Sequence, residues 1–238
     1  MIGEPIPVSQ EGAGADFENL LVAPEGRGPR PGVLVFPTIM GRSDLELGFA
    51  RRLAERGYAA MVCDLYGKDR IGLGREECRP LMNALRADRP ALQARLRERL
   101  ALLHGRPEVD PGRIAAIGYC FGGLCALDLA RTGADLRGVA SFHGILAPPG
   151  NLDGVPIAAR IIAFHGWDDP LAPPDDVVAL GQELSRAGAD WQLHAYGGTS
   201  HAFTNPGAQD AEHGLLYNPV AERRSWKSLL NFLEEIFE

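Results

Sequence analysis

From residue 31 onward this chain alternates short apolar runs of strand length with stretches of helical periodicity, and no other feature narrows its fold so far. The strand-like runs fall at 32–36, 59–64, 114–119, 138–143, 159–165 and 191–196, with helical patterns at 43–55, 76–105, 122–132, 174–187 and 220–237. Residues 16–23 read as an added edge strand, antiparallel because no crossover helix separates it from the next run. Right-handed crossovers then build a mostly parallel, twisted sheet with helices on both faces. In such a sheet, ligand-binding groups collect just beyond the carboxyl ends of the strands.

A chain of 238 residues with 45% hydrophobic content can bury one large core, so a single α/β domain over 1–238 is expected. The net charge of -7, with Lys and Arg dispersed, argues against a nucleic-acid surface. The cysteines at 63, 78, 120 and 125 form no CxxC pair, and no signal peptide is evident at the N-terminus, so a reduced, cytoplasmic protein is expected. Cys63 and Cys125 lie in apolar runs and read as core packing. No run is long enough to span a membrane. No cofactor is called for, and the oligomeric state, monomer or homodimer, is open.

Gly118-Tyr119-Cys120-Phe121-Gly122-Gly123 joins a strand-like run to a helix-like one. A side chain at so sharp a junction is thrust above the sheet on strained backbone, and nearby glycines let strand and helix approach. The pattern is G-x-S-x-G with sulfur in place of oxygen, which makes Cys120 a candidate nucleophile. The backbone N–H of Phe121 can face a developing oxyanion, and the helix N-terminus favours a thiolate. A buried structural cysteine in a Gly-rich turn is the plainer alternative.

The run ending at His165 continues Gly166-Trp167-Asp168-Asp169-Pro170, placing two carboxylates after a strand, and either could orient a histidine. The next run is followed by Gly197-Gly198-Thr199-Ser200-His201, a loop histidine where a general base belongs. The order nucleophile, acid, base, each beyond a different strand, is that of α/β-hydrolases. His104, His143, His165, His194 and His213 read as ordinary side chains, although His143 and His165 end strands and could line a pocket. A metal site from His165, Asp168, Asp169 and His201 is the competing reading, but it lacks the i, i+4 helical pairing that metal motifs often use.

Asp64-Leu65-Tyr66-Gly67-Lys68, the elbow sequence, His165-Gly166-Trp167-Asp168-Asp169-Pro170 and Ser200-His201-Ala202-Phe203 together resemble the dienelactone hydrolase family of α/β-hydrolases. The resemblance runs from about residue 15 to the end. It implies Asp169 as the acid, His201 as the base, and Ile39 in the loop Pro37-Thr38-Ile39-Met40-Gly41 as a second oxyanion donor through its N–H. Thr38 stands where dienelactone hydrolases carry a glutamate. Lys68 or Asp69, and Asn205, stand where they carry substrate-binding arginines. Thr38, Tyr66, Tyr119, Trp167, Phe203 and Asn205 are the substrate-pocket candidates. The implied activity is hydrolysis of a small-molecule ester or lactone through a thioester on Cys120. A thiol redox or electrophile-sensing protein on the same scaffold is the rival, although no resolving cysteine is evident.

Overall fold

In the computed structural model, which describes residues 1–11, 15–26 and 28–238, the apolar runs become strands of a mostly parallel sheet flanked by helices. In chain order these are β1 (Ile6–Gln10), β2 (Phe17–Val22), β3 (Arg30–Phe36), β4 (Ala59–Val62), β5 (Val109–Tyr119), β6 (Gly138–Phe142), β7 (Arg160–Gly166) and β8 (Trp191–Tyr196). Their order in the sheet is β1-β2-β4-β3-β5-β6-β7-β8. Backbone contacts cluster into two units, residues 1–116 and 117–238.

In the first unit β3 pairs parallel with β4, and both are buried almost throughout, as strands covered on two faces should be. β2 is antiparallel to β4, as expected, but it is not the edge. β1 lies antiparallel along its other side, with Ile6 opposite Leu21 and Gln10 opposite Phe17. The sequence Ile-Pro-Val-Ser-Gln carries too little apolar alternation to announce that strand. Helix α1 (Asp44–Ala54) starts at an N-cap, Ser43, whose hydroxyl accepts the Leu45 N–H.

The helical pattern at 76–105 is two helices, α2 (Arg75–Ala87) and α3 (Arg89–His104). Asp88 separates them: its carboxylate accepts the Ala91 N–H at 3.0 Å as N-cap of α3, and Pro90 sits in the first turn, where no backbone donor is missed. From α3, fully buried Arg99 donates to the Asp64 carbonyl at 3.0 Å and lies 4.2 Å from the Phe17 ring centroid.

In the second unit β6, β7 and β8 pair in parallel, with Phe142 opposite Phe164 and Phe164 opposite His194. Helices α4 (Phe121–Arg131), α5 (Pro174–Arg186) and α6 (Pro219–Phe237) pack here, α6 against β6 and β7 through residues such as Phe232 and Ile236. Every residue of α4 is buried. Its Arg131 guanidinium is anchored on the Asp128 carboxylate at 3.1 Å and on both Glu183 oxygens at 2.7 Å. Two short strands, β9 (Gln209–Asp210) and β10 (Leu215–Leu216), form a small antiparallel ribbon.

Candidate active site

β5 ends at Tyr119 and α4 begins at Phe121, so Cys120 alone makes the turn, at φ 56° and ψ -114°. That conformation is strained for any residue with a Cβ, and the surrounding hydrogen bonds hold it. The Cys120 N–H donates to the Phe142 carbonyl at 3.0 Å, and its own carbonyl accepts the Gly123 N–H at 3.0 Å. Of the four free cysteines, Cys63, Cys78 and Cys125 are buried and Cys120 is partly exposed. Burial pushes the Cys63 thiol up to about 12, which leaves it an inert packing group.

After β7 the chain turns at Gly166, where a Cβ would lie 2.5 Å from the Thr199 carbonyl oxygen and 2.6 Å from that of Ser200. Only glycine lets the two loops approach so closely. Of the two carboxylates beyond it, Asp168 is exposed and Asp169 is buried. Asp169 Oδ1 accepts the Leu171 N–H at 2.8 Å, and Oδ2 lies 2.7 Å from His201 Nδ1.

The His201 loop is fastened on its far side as well. The His201 carbonyl accepts the Leu216 N–H at 3.0 Å, the Phe203 carbonyl accepts the Asn218 N–H at 3.1 Å, and Asn218 Nδ2 donates to Thr199 Oγ1 at 2.9 Å. His201 is 1% exposed, and its Nε2 takes no oxygen or nitrogen partner among the described residues. Burial, the largest single influence on this ring, disfavours the imidazolium. The Cys120 charge, hydrogen bonds to Asp169 and Cys120, and the Asp169 charge together outweigh it and lift the pKa to about 10. Cys120, His201 and Asp169 therefore form one electrostatic unit.

Three described non-glycine residues have positive φ: Cys120 at 56°, His143 at 37° and Ala202 at 60°. His143 carries no separate signal in the sequence; only its place directly after β6 points to the site. Its ring is buried and meets that of His201 edge to face, with centroids 5.0 Å apart. Burial foremost, and then the His201 charge, holds its pKa well below the ordinary histidine value.

The other candidates differ in exposure. Tyr119 and Phe203 are buried, at 1% and 0% exposure. Tyr119 stacks on Phe142 at 4.7 Å, and Phe203 packs edge-on against His143 and Tyr196. Trp167 is exposed, its ring edge-on to His165. Asn205 folds its own loop, its Oδ1 accepting the Gly207 N–H at 2.9 Å. Phe121 is buried as the first residue of α4.

In the first unit, the Thr38 N–H donates to buried Glu46 at 3.1 Å, and Thr38 Oγ1 accepts the Met40 N–H at 3.3 Å. The Tyr66 hydroxyl donates to the Ile39 carbonyl at 3.1 Å. The Asp64 carboxylate accepts the N–H groups of Glu18, Tyr66 and Gly67, so the Asp-Leu-Tyr-Gly motif is a built turn that sets Tyr66 in place.

A mostly parallel sheet whose strand-to-helix junction carries a strained Cys120, beside a histidine paired with a buried aspartate, defines an α/β-hydrolase. The chain belongs to the dienelactone hydrolase family, whose model matches residues 17–237, and it is a carboxylic ester hydrolase. Two solved structures resemble it over 100% of its length and 99% of theirs. One is titled m3DLH, at 40% identity and a TM-score of 0.93. The other is the dienelactone hydrolase-like promiscuous phosphotriesterase P91 from metagenomic libraries, at 35% and 0.94. A probable 2-oxo-3-(5-oxofuran-2-ylidene)propanoate lactonase from Bradyrhizobium sp. is 27% identical over 90% of this chain and 87% of its own. No helix among the described residues is long and apolar enough to cross a membrane.

Proposed function

We propose that this hydrolase opens small-molecule esters or lactones through a Cys120-His201-Asp169 triad and a thioester intermediate. The observation that carries this reading is the buried 2.7 Å pair of His201 and Asp169, acting electrostatically on a partly exposed Cys120. A thiolate that favours imidazolium is itself favoured by it, so the pair supplies a nucleophile without an external base.

The sulfur adds to the carbonyl carbon, and the C=O π pair moves onto oxygen. The oxyanion is met by the N–H of Phe121, a donor of a kind worth on the order of 3 kcal/mol of barrier. The tetrahedral intermediate collapses, the C–O bond breaks, and the proton on His201 passes to the leaving alkoxide. Water then attacks the thioester with His201 as base, and the acid is released with the thiol restored. Asp169 keeps the hydrogen on Nδ1 and supports the imidazolium.

Phosphotriesters are a second substrate class, favoured by the likeness to the phosphotriesterase at 35% identity over the whole chain. The rival sensing role finds no support in relatives named for hydrolysis. We read residues 1–238 as one α/β-hydrolase domain, because the family model's match runs through both units. The four free thiols support a cytoplasmic setting.

Hydrolysis of aryl esters, aliphatic lactones and carboxylate-bearing lactones, measured on wild type and Cys120→Ala, tests the reading. Loss of turnover in the variant is expected, and full retained activity would refute the nucleophile.

A further inference from the structure

Asp169 holds one nitrogen of His201, but one hydrogen bond does not fix the plane of a ring or the loop beneath it. His143, on the neighbouring strand end, touches that loop twice. Its ring lies edge to face with the His201 ring at 5.0 Å, an interplanar angle of 67°. Its Nε2 lies 2.8 Å from the hydroxyl of Thr204, three residues beyond His201 on the same loop. Phe203 sits between these contacts, edge-on to His143 at 5.1 Å, and Ala202 carries the positive φ that swings the segment round.

The backbone of His143 is committed to this arrangement. At φ 37° it adopts a conformation that β-carbon residues avoid, and its N–H is held by the Phe164 carbonyl at 2.8 Å. The neighbouring Phe142 carbonyl takes the Cys120 N–H, so a single strand end carries both the nucleophile's anchor and the ring beside the base. The titratable groups facing His201 are Cys120, Asp169, His143 and His165; those facing His143 are His201 and Tyr119. His143 Nδ1 is buried without a partner among the described residues. A hydrogen on Nε2 serves Thr204 and leaves Nδ1 as a lone pair, so the ring has a polar contact to give the loop and no proton to exchange with the triad.

Resting on the triad reading above, we propose that His143 is a positioning residue for His201, fixing the plane of its ring by contact and its loop through Thr204. It does not touch substrate or carry a proton in the reaction.

The test is kcat, KM and the pH dependence of Cys120 alkylation by iodoacetamide, measured on Thr204→Val, Thr204→Ser, His143→Phe, His201→Ala and Cys120→Ala. Thr204→Val removes the hydroxyl at nearly constant shape; kcat should fall about fivefold to tenfold, with KM within about twofold, because misplaced catalytic groups weaken the reaction more than binding. The alkylation midpoint should move to higher pH, since a looser imidazolium stabilises the thiolate less. Thr204→Ser should recover most of both. His143→Phe keeps the ring contact, loses the hydroxyl partner and should match Thr204→Val, which covers the case where one of the two folds poorly. Unchanged kcat and midpoint in folded Thr204→Val and His143→Phe would overturn the proposal, as would a lowered melting temperature with an unmoved midpoint. If His201→Ala leaves the midpoint in place, or Cys120→Ala keeps its turnover, the triad reading itself falls.

Discussion

A Cβ on Gly118 would lie 1.9 Å from the carbonyl oxygen of Gly122, so the end of strand β5 and the first turn of α4 meet where no side chain fits. Both contacting groups belong to rigid backbone, and neither can yield. Gly118→Ala should therefore cost about 3 kcal/mol or more and reduce the yield of folded protein. Urea unfolding followed by circular dichroism checks this; a loss below about 1 kcal/mol would show that the elbow can relax.

The two adjacent carboxylates should separate cleanly by substitution. Asp169→Asn keeps an acceptor toward Leu171 but loses the charge that holds His201, and kcat should drop on the order of a thousandfold or more, as expected when a triad acid can no longer fix the tautomer. Exposed Asp168→Asn should remain near wild type. Steady-state ester hydrolysis decides, and equal losses would mean the acid is misassigned.

His201 titrates near 10 chiefly because the Cys120 charge and the Asp169 pair outweigh its burial. In Cys120→Ala the largest raising influence is gone, so the imidazolium should disappear at distinctly lower pH, as read by NMR of the ring protons. The folded pKa stands above the unfolded one. The stability His201 contributes is therefore complete below about 6.5 and is lost as pH rises through about 10. An unchanged titration in the variant would place Cys120 too far away to pair.

Glu46 is fully buried, and desolvation raises its pKa in spite of hydrogen bonds from Ser43 and Thr38. The folded state then binds this proton more tightly than the unfolded state, so its contribution is greatest in acid and is lost as pH rises through the folded value. Glu46→Gln keeps the acceptor for Thr38 without the charge. Its stability relative to wild type should improve from pH 4 to pH 8 in urea titrations, and a constant difference would count against the burial argument.

Arg131 and Glu183 form a two-pronged pair at 2.7 Å, with the Arg131 side chain 3% exposed. Removing Arg131 takes the cation away from the fully buried Asp128 carboxylate as well as from Glu183, so Arg131→Met should lose roughly 3 kcal/mol or more. Adding Asp128→Asn and Glu183→Leu to Arg131→Met should lose less, because all three charges of the cluster are then gone. A triple variant less stable than Arg131→Met, by urea unfolding, would contradict this.

Much of this protein could be read without coordinates. The helix break is marked by Asp88-Arg89-Pro90, an N-cap residue two positions before a first-turn proline, yet the continuous helical pattern around it masks the signal. β1 escaped notice because a short strand with one deeply buried residue, Val8, has no periodicity to display. His143 carried no motif, since its importance comes from a neighbour 58 positions away in the chain, His201, and not from adjacent residues.

The sequence by itself determined the alternation of strands and helices, the cysteine at the elbow and the chain order Cys120, Asp169, His201 beyond successive strand-like runs, because local periodicity and turn chemistry are written in consecutive residues. Tertiary structure alone decided that Asp169 is buried against His201 while Asp168 is exposed, that Cys120 is the partly exposed cysteine, and that His143 rests against His201. Those outcomes depend on burial and on distances of a few ångströms between strand ends, and these exist only once the sheet has brought separate segments together.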